Sequence, residues 1–495
     1  MASEMPPALR IALDPDIRAA HGPELTWAWR LLLMATGRRW SEVPFGEECD
    51  VAHCSAARPE PPTAALRIRA DPERWRRCAE LDLRGVGERE GWSMLEFAGD
   101  PASDGGGGAG IGASRLDHDV VFDLFWLAGA AAEARWPRNE HGHPQPRGPL
   151  LEQGLFTRAL ASQIVARLDR AFSERGLPEG VPRWPGGKRA AACLTHDVDY
   201  PEVVRWLEPA RVLARRGRRG VRPALDVLRG RRHTWHFDSW VELEGRHGAR
   251  SAFYFVPRKG SLLEYARDTP DPFYDVTTPR FGEALRRLDA AGAEVGIHAS
   301  YRAYEDESRF ALELEQLERA AGVAVAGNRH HYLHLDPERP QDTLLLHEKL
   351  GLDYDTTLGH DRNLGWRNGL AMPFFPFHNG LRRELRTLQL PFAWMDQQLF
   401  LYGDLNPGEP AELLSGLVAT TAEHGGCLVA NIHEYTFDEE LFPGWSRTYE
   451  GLVAEVAGRG DFWIETPRAV AAHWRARAEA IVAASSGLDD GSAVR

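Results

Sequence analysis

AACLTHDVD, residues 191–199, carries an apolar run directly into two aspartates. In an extended segment, residues two apart share a face, so Asp197 and Asp199 point one way while His196 and Val198 point the other. Similar apolar runs recur downstream: SAFYFV (251–256), AEVGIHAS (293–300), GVAVAGNRHH (322–331), LDYDTTLG (352–359) and CLVANIHEY (427–435). Between them lie amphipathic stretches such as RFGEALRRLDAAG (280–292) and RFALELEQLERAAG (309–322). Strands alternating with helices predict a parallel α/β sheet, open or closed into a barrel, with reactive groups gathered at the carboxyl ends of the strands.

Two carboxylates sharing one site cannot both stay ionised cheaply unless a cation lies between them or one keeps a proton. A metal bound by one Asp, with the other as general base, resolves that conflict; capping or turn aspartates at a strand end are the alternative. His298 closes another apolar strand, and Arg329, His330, His331 and His334 crowd the end of the next. Imidazole is a common ligand for zinc and related metals, so the sequence predicts a functional role for at least one of these histidines. His433 and Glu434 end a buried-looking strand. His433, with an unperturbed pKa near neutrality, is a candidate general acid or else a structural histidine. In LGHDRNLGWRNGLAMPFFPF, Asp361, Trp366 and Arg367 suit a loop lining a sugar pocket, and equally an ordinary surface loop.

At 495 residues the chain exceeds a single typical core, which predicts two domains. The Pro/Gly-rich stretch RGLPEGVPRWPGGKR (175–189) marks the boundary, after an α/β region at 1–180 with helical patterns around Trp126 and Trp136. The expected barrel domain spans 186–478, followed by a flexible tail at 479–495. The Gly run at 102–114 has neither the flanking strand nor the lysine of a phosphate-binding loop and reads as a plain loop. Five scattered cysteines without C-x-x-C spacing fit a reducing compartment. Neither a secretory leader nor eighteen consecutive apolar residues is present, so the expected location is cytoplasmic. A net charge of −13 argues against general nucleic-acid binding. The Arg-rich segment 205–232 is the exception, either a patch for an anionic glycan, lipid head group or nucleic acid, or a solvated helical surface. With only Lys188, Lys259 and Lys349 as lysines, a general arginine bias accounts for part of it.

Taken together, these motifs resemble the polysaccharide deacetylase family, also called the nodulation-type chitooligosaccharide deacetylase homology domain, over residues 186–475. Its T-F-D-D-G motif is similar to Thr195-His-Asp-Val-Asp199, implying Asp197 as base and Asp199 as metal ligand. Its H-[ST]-x-x-H-P motif matches at His298 but meets Arg302 where the second histidine belongs. Its R-x-P-[YFW] motif is similar to Arg329-His330-His331-Tyr332, with His331 standing in place of proline. A histidine gained there replaces the one lost at Arg302, although His330 and His334 are also within reach. The resemblance further implies Arg329 orienting the base and His433 protonating the leaving amine, with Tyr332 beside the substrate. It implies a distorted seven-stranded (β/α) barrel, a divalent metal (zinc, from the N/O ligand set) and removal of an N-acyl group from an amino sugar. YDTTLGH, WRNGLAMPFFPF and NIHEYTFDEELFPGW resemble a bacterial subgroup with a smaller N-terminal α/β domain, whose end is similar to Asp117–Leu168. Two rival readings remain: a metal-independent hydrolase of small cyclic amides, and a catalytically weakened glycan-binding protein.

Overall fold

The computed structural model describes residues 7–56, 58, 63–99, 111–112, 114–202, 208–230, 234–265, 269–403, 405–406 and 408–488. The chain begins with β1 (Leu9–Leu13), β2 (Trp40–Glu42), β3 (Cys49–Ser55) and β4 (Ala64–Ala70), followed by a separate antiparallel hairpin, β5 (Leu83–Arg89) and β6 (Trp92–Phe97). With β7 (Ile111–Gly112) and β8 (Arg115–Leu116), the first four make a six-stranded sheet in the order β2-β1-β3-β4-β8-β7. All its pairings are parallel except β7 with β8. Of the Gly run expected as a loop, only Ile111, Gly112 and Ser114 lie among the described residues.

The helix Pro15–Thr36 starts where its sequence directs: Asp14 accepts from Asp16 N–H, Pro15 occupies the first turn, and Gly37 closes the helix at φ 78°. Its Trp27 and Trp29 are buried, as are Trp126 on the helix Val120–Ala128 and Trp136 beyond it.

The second sheet contains β9 (Ala190–Val198), β10 (Ser251–Phe255), β11 (Glu294–Ala299), β12 (Gly327–His330) and β13 (Tyr354–Asp355). A small hairpin, β14 (Phe377–His378) and β15 (Arg383–Glu384), precedes β16 (Leu388–Gln389), β17 (Phe392–Met395), β18 (Cys427–Asn431) and β19 (Phe462–Ile464). The path β16-β13-β12-β11-β10-β9-β18-β17 is parallel throughout, and β19 pairs with the first residues of β9. The sheet is curled. In a flat one, β9 and β12 would lie about 14 Å apart, with side chains standing perpendicular and unable to meet. Yet Arg329 Nη1 on β12 lies 2.8 Å from Asp197 Oδ1 on β9. The two ends of the path, β16 and β17, are consecutive in the chain, one half pairing with β13 and the other with β18. The result is an α/β fold with a curled eight-stranded parallel sheet, consistent with a (β/α) barrel. Seven strands are counted only if Leu388–Met395 is taken as one; hydrogen bonding divides it around Pro391, which has no N–H to donate.

The inner face is packed by close fits. Tyr254 on β10 sits opposite Gly296, where any Cβ would come within 2.5 Å of its ring, and Tyr354 covers Gly327 in the same way. Their hydroxyls meet at 2.8 Å. Ala191, Cys193 and Tyr254 share one apolar cluster with Leu9, Trp27 and Trp126, so this core is continuous from the first sheet into the second. Ala190, Ala192, Leu194 and Phe253 face outward into a second cluster under the surrounding helices.

A tail beginning at 479 is corrected. The last helix runs Pro467–Ala483, Ser486 N–H donates to Trp40 O and Leu488 is fully buried, because these residues extend the edge of the first sheet. No helix among the described residues is long and apolar enough to cross a membrane.

Candidate active site

The alternation within THDVD is realised as the strand period requires. His196 faces outward, stacked on Phe253 with Nε2 2.8 Å from Glu244 Oε1, whereas Thr195 and Asp197 face the barrel interior. Asp199, one step past β9, meets His298 from β11 and His331 from the turn after β12. The three residues offer ligand atoms that all lie within 4.8 Å of one another. Nε2 of His298 and of His331 lie 3.5 and 3.7 Å from Asp199 Oδ1. Those spacings are too wide for hydrogen bonds, but two ligands each about 2.1 Å from a tetrahedral ion stand roughly 3.4 Å apart.

Three further observations fit a cation at this point. Asp199 Oδ1 is buried without a hydrogen-bond partner, a costly arrangement for a carboxylate oxygen. His298 Nδ1 lies 2.6 Å from Arg329 O, to which it can only donate, and this bond turns Nε2 toward Asp199. His331 Nδ1 lies 3.1 Å from Asp271 Oδ1, the carboxylate–imidazole pairing that orients metal-binding histidines. Burial opposes charge on Asp199, but His331, His298 and His433 outweigh it and hold the carboxyl well below its usual range. His331 is raised although burial lowers it, because Asp199 and Asp271 face it.

Asp197 stands beside this cluster, its Oδ2 3.9 Å from His298 Nε2. Arg329 Nη1 donates to Oδ1 at 2.8 Å and Asn431 Nδ2 to Oδ2 at 2.7 Å. Burial raises its pKa, but Arg329, His298 and His433 lower it on balance, so Asp197 is an ionised acceptor fixed in orientation. Arg329 is itself fully buried, with its guanidinium between the Tyr254 and Phe392 rings. Across the site, His433 points Nε2 at Asp199 Oδ2, 3.4 Å away, and its Nδ1 lies 2.7 Å from Asp396 Oδ1. Burial depresses His433, yet Asp396 and Asp199 together hold it well above its ordinary value.

The competing histidines are placed elsewhere. His330 faces away from the cluster, its Nε2 2.8 Å from that of His347, and burial followed by His347 pushes it well below its ordinary pKa. His334 lies flat on Tyr301 and bonds its backbone carbonyl; burial drives it down to about 4. Arg302, where the second histidine of the motif is missing, pairs at the surface with Glu305.

In the loop expected to line a pocket, Arg367 borders a cleft together with Glu133, Arg138 and Asn368, and its neighbours make structural contacts. Asp361 accepts from Asn139 and Gln145, Trp366 is fully buried, and Arg367 grips Glu133 with two bonds of 2.5 and 2.6 Å. Asp361 and Arg367 thereby tie the chain segment from 133 to 145 to the barrel, while Trp366 N–H donates to Phe156 O. That segment also reaches the rim of the site: His141 Nδ1 lies 2.9 Å from Tyr301 Oη, and His143 Nε2 lies 2.6 Å from Tyr332 O. Tyr332, partly exposed at φ 59°, places its ring 4.9 Å from His331 and 5.0 Å from His141. The sequence reading passed over Asp271, Asp396, Asn431, His141 and His143. Asp396 follows the apolar strand FAWM, which is a usable signal; Asp271 lies in a Pro-rich loop that offers none.

No family model matches the chain, and no curated protein matches it. Solved structures to which it is similar include a Mycobacterium smegmatis protein described as a polysaccharide deacetylase, at 20% identity, covering 59% of this chain and 93% of the other, with a TM-score of 0.40. A Pseudomonas aeruginosa protein of the same description is 16% identical, covering 62% and 97%, and Puue allantoinase is 15% identical, covering 60% and 93%; both have TM-scores of 0.40.

Proposed function

We propose that this protein is a metal-dependent hydrolase that removes an N-acyl group, acetyl in the simplest case, from an amino sugar in a glycan or its precursor. The observation that carries the reading is the buried, partnerless Asp199 Oδ1 facing two imidazole nitrogens at ion-bridging distance. Bound by Asp199, His298 and His331, a divalent ion, zinc by its ligand set, would lower the pKa of a water and polarise the acyl carbonyl. Asp197, oriented by Arg329 and Asn431, takes the proton from the attacking water in this reading. Backbone N–H groups around Tyr332 supply oxyanion stabilisation, worth on the order of 10²–10³ in rate per donor. His433, kept protonated by Asp396, gives its proton to the departing amine. Arg329 acts through Asp197 as a positioning residue. The complete ligand set, with His331 making up for Arg302, favours this reading over a weakened glycan-binding protein.

The test uses purified protein on a panel of N-acetylated sugars, nucleotide sugars and oligosaccharides, with acetate release and bound metal both measured. Acetate should appear, disappear with chelator and fall at least about 10²-fold in Asp197→Asn. Absence of stoichiometric metal, or an Asp197→Asn variant as active as the parent, would refute the proposal.

A further inference from the structure

The connection leaving the carboxyl end of β9 does not return directly to the sheet. It forms two helices, Glu208–Arg216 and Val221–Leu228, before rejoining the fold at the helix Phe237–Gly245. This insertion therefore stands on the face where Asp197 and Asp199 end their strand. Between Arg205 and Arg232 the sequence carries ten arginines against Glu208 and Asp226, in a chain whose net charge is −13.

The helix Val221–Leu228 is apolar on two separate sides. Pro223, Ala224 and Val227 are buried against the protein. Val221, Leu225 and Leu228, at i, i+4 and i+7, form an outward stripe with exposures of 48%, 41% and 53%. At 100° per residue, Arg222 and Arg229 fall along one flank of that stripe, and both are exposed, as are Arg218 and Arg219. Leu213 on the preceding helix is exposed as well.

The same pattern continues around the mouth of the barrel. Twelve large apolar side chains are exposed among the described residues, and eight of them follow the carboxyl ends of strands: Leu213, Val221, Leu225 and Leu228 after β9, Leu263 after β10, Tyr332 after β12, and Leu401 and Tyr402 after β17. Lys259 follows β10, and Arg362 places its guanidinium over the Tyr402 ring. Acidic side chains on this face follow β11, at Glu305, Asp306 and Glu307, and β18, at Asp438, Glu439 and Glu440, which leaves the connection after β9 as its basic, apolar part.

We infer that this face docks on an anionic phospholipid surface, and, resting on the deacetylase reading above, that the pocket works on an amino sugar carried by an amphiphile held there. Clustered arginine beside an aliphatic stripe is the chemistry of a helix lying in a membrane interface, with phosphates meeting the guanidinium groups and leucines entering the acyl boundary. A soluble anionic glycan offers the leucines nothing. A second copy of the chain in a two-fold contact would set the same arginines against one another.

The test is sedimentation of the purified full chain with phosphatidylcholine vesicles, with and without phosphatidylglycerol. Partitioning should be roughly tenfold or more stronger with phosphatidylglycerol and fall as salt is added. Leu225→Ser/Leu228→Ser and Arg218→Ser/Arg219→Ser should each lower it about tenfold, while hydrolysis of a soluble N-acetyl sugar stays unchanged. Asp199→Asn should bind vesicles as the parent does, which separates docking from chemistry: vesicle binding without acetate release would retain the surface and discard the deacetylase. Equal binding to both vesicle types, or binding indifferent to the leucine pair, overturns the inference. So does a lipid-free dimer that the leucine variant dissolves, or retention on heparin that the same variant leaves intact.

Discussion

Two aspartates, Asp271 and Asp396, touch neither the proposed ion nor the proposed water, yet each holds an imidazole that does. Their substitutions should separate two roles. Asp271→Asn weakens the pairing behind His331 and should lower metal affinity about 10–100-fold, measured by competition with a chelator. Asp396→Asn removes the charge that keeps His433 protonated and should lower kcat about 10²-fold with metal content unchanged. If both variants lost metal alike, His433 would be a ligand and not an acid. At this scale the reading from sequence was strongest where strand alternation decides the answer: Asp197 and Asp199 on one face, His196 on the other. It was weakest for partners brought in by tertiary structure. Trp366 and Arg367 have the composition of a sugar-binding loop, but what surrounds them is Phe156 and Glu133, more than two hundred positions earlier in the chain. Local composition carries no trace of such neighbours.

Elements in this chain are tied together at their ends, and the helix Pro15–Thr36 is the clearest case. Asp14 caps it, accepts from Ser55 N–H at the end of β3 and pairs with Arg58. Burial raises the Asp14 pKa, but Arg58 and the Ser55 and Asp16 amides lower it to about 2. A carboxyl depressed by folding lends stability that is fully present above its unfolded value near 4 and is lost as the pH falls toward 2. Asp14→Ala should therefore cost about 1–2 kcal/mol at neutral pH and flatten the acid limb of the unfolding curve, measured by denaturant titration between neutrality and acid pH. The alternation of strands and helices was legible at this scale because each period is written in a few residues. The split of Leu388–Met395 into two strands was not, since it depends on which neighbour each half finds.

The two sheets share one apolar core that runs from Leu9 through Trp27 and Trp126 to Tyr254 and Phe392, and Ser486, just past the last helix, bridges to Ser41 on β2. Such continuity predicts a single cooperative transition on heating, with calorimetric and van't Hoff enthalpies in agreement; two separated transitions would contradict it. A Pro/Gly-rich stretch read as a boundary is thus a covalent connection across a packed interface, with Trp184 buried inside it. The segment clamped by Asp361 and Arg367 has a bearing on how such a molecule changes over time. Every group assigned to moving a proton or holding an ion lies at position 197 or beyond, whereas His141 and His143 come from before the barrel begins. Selectivity can drift through that short strap while the reaction it serves stays as it is.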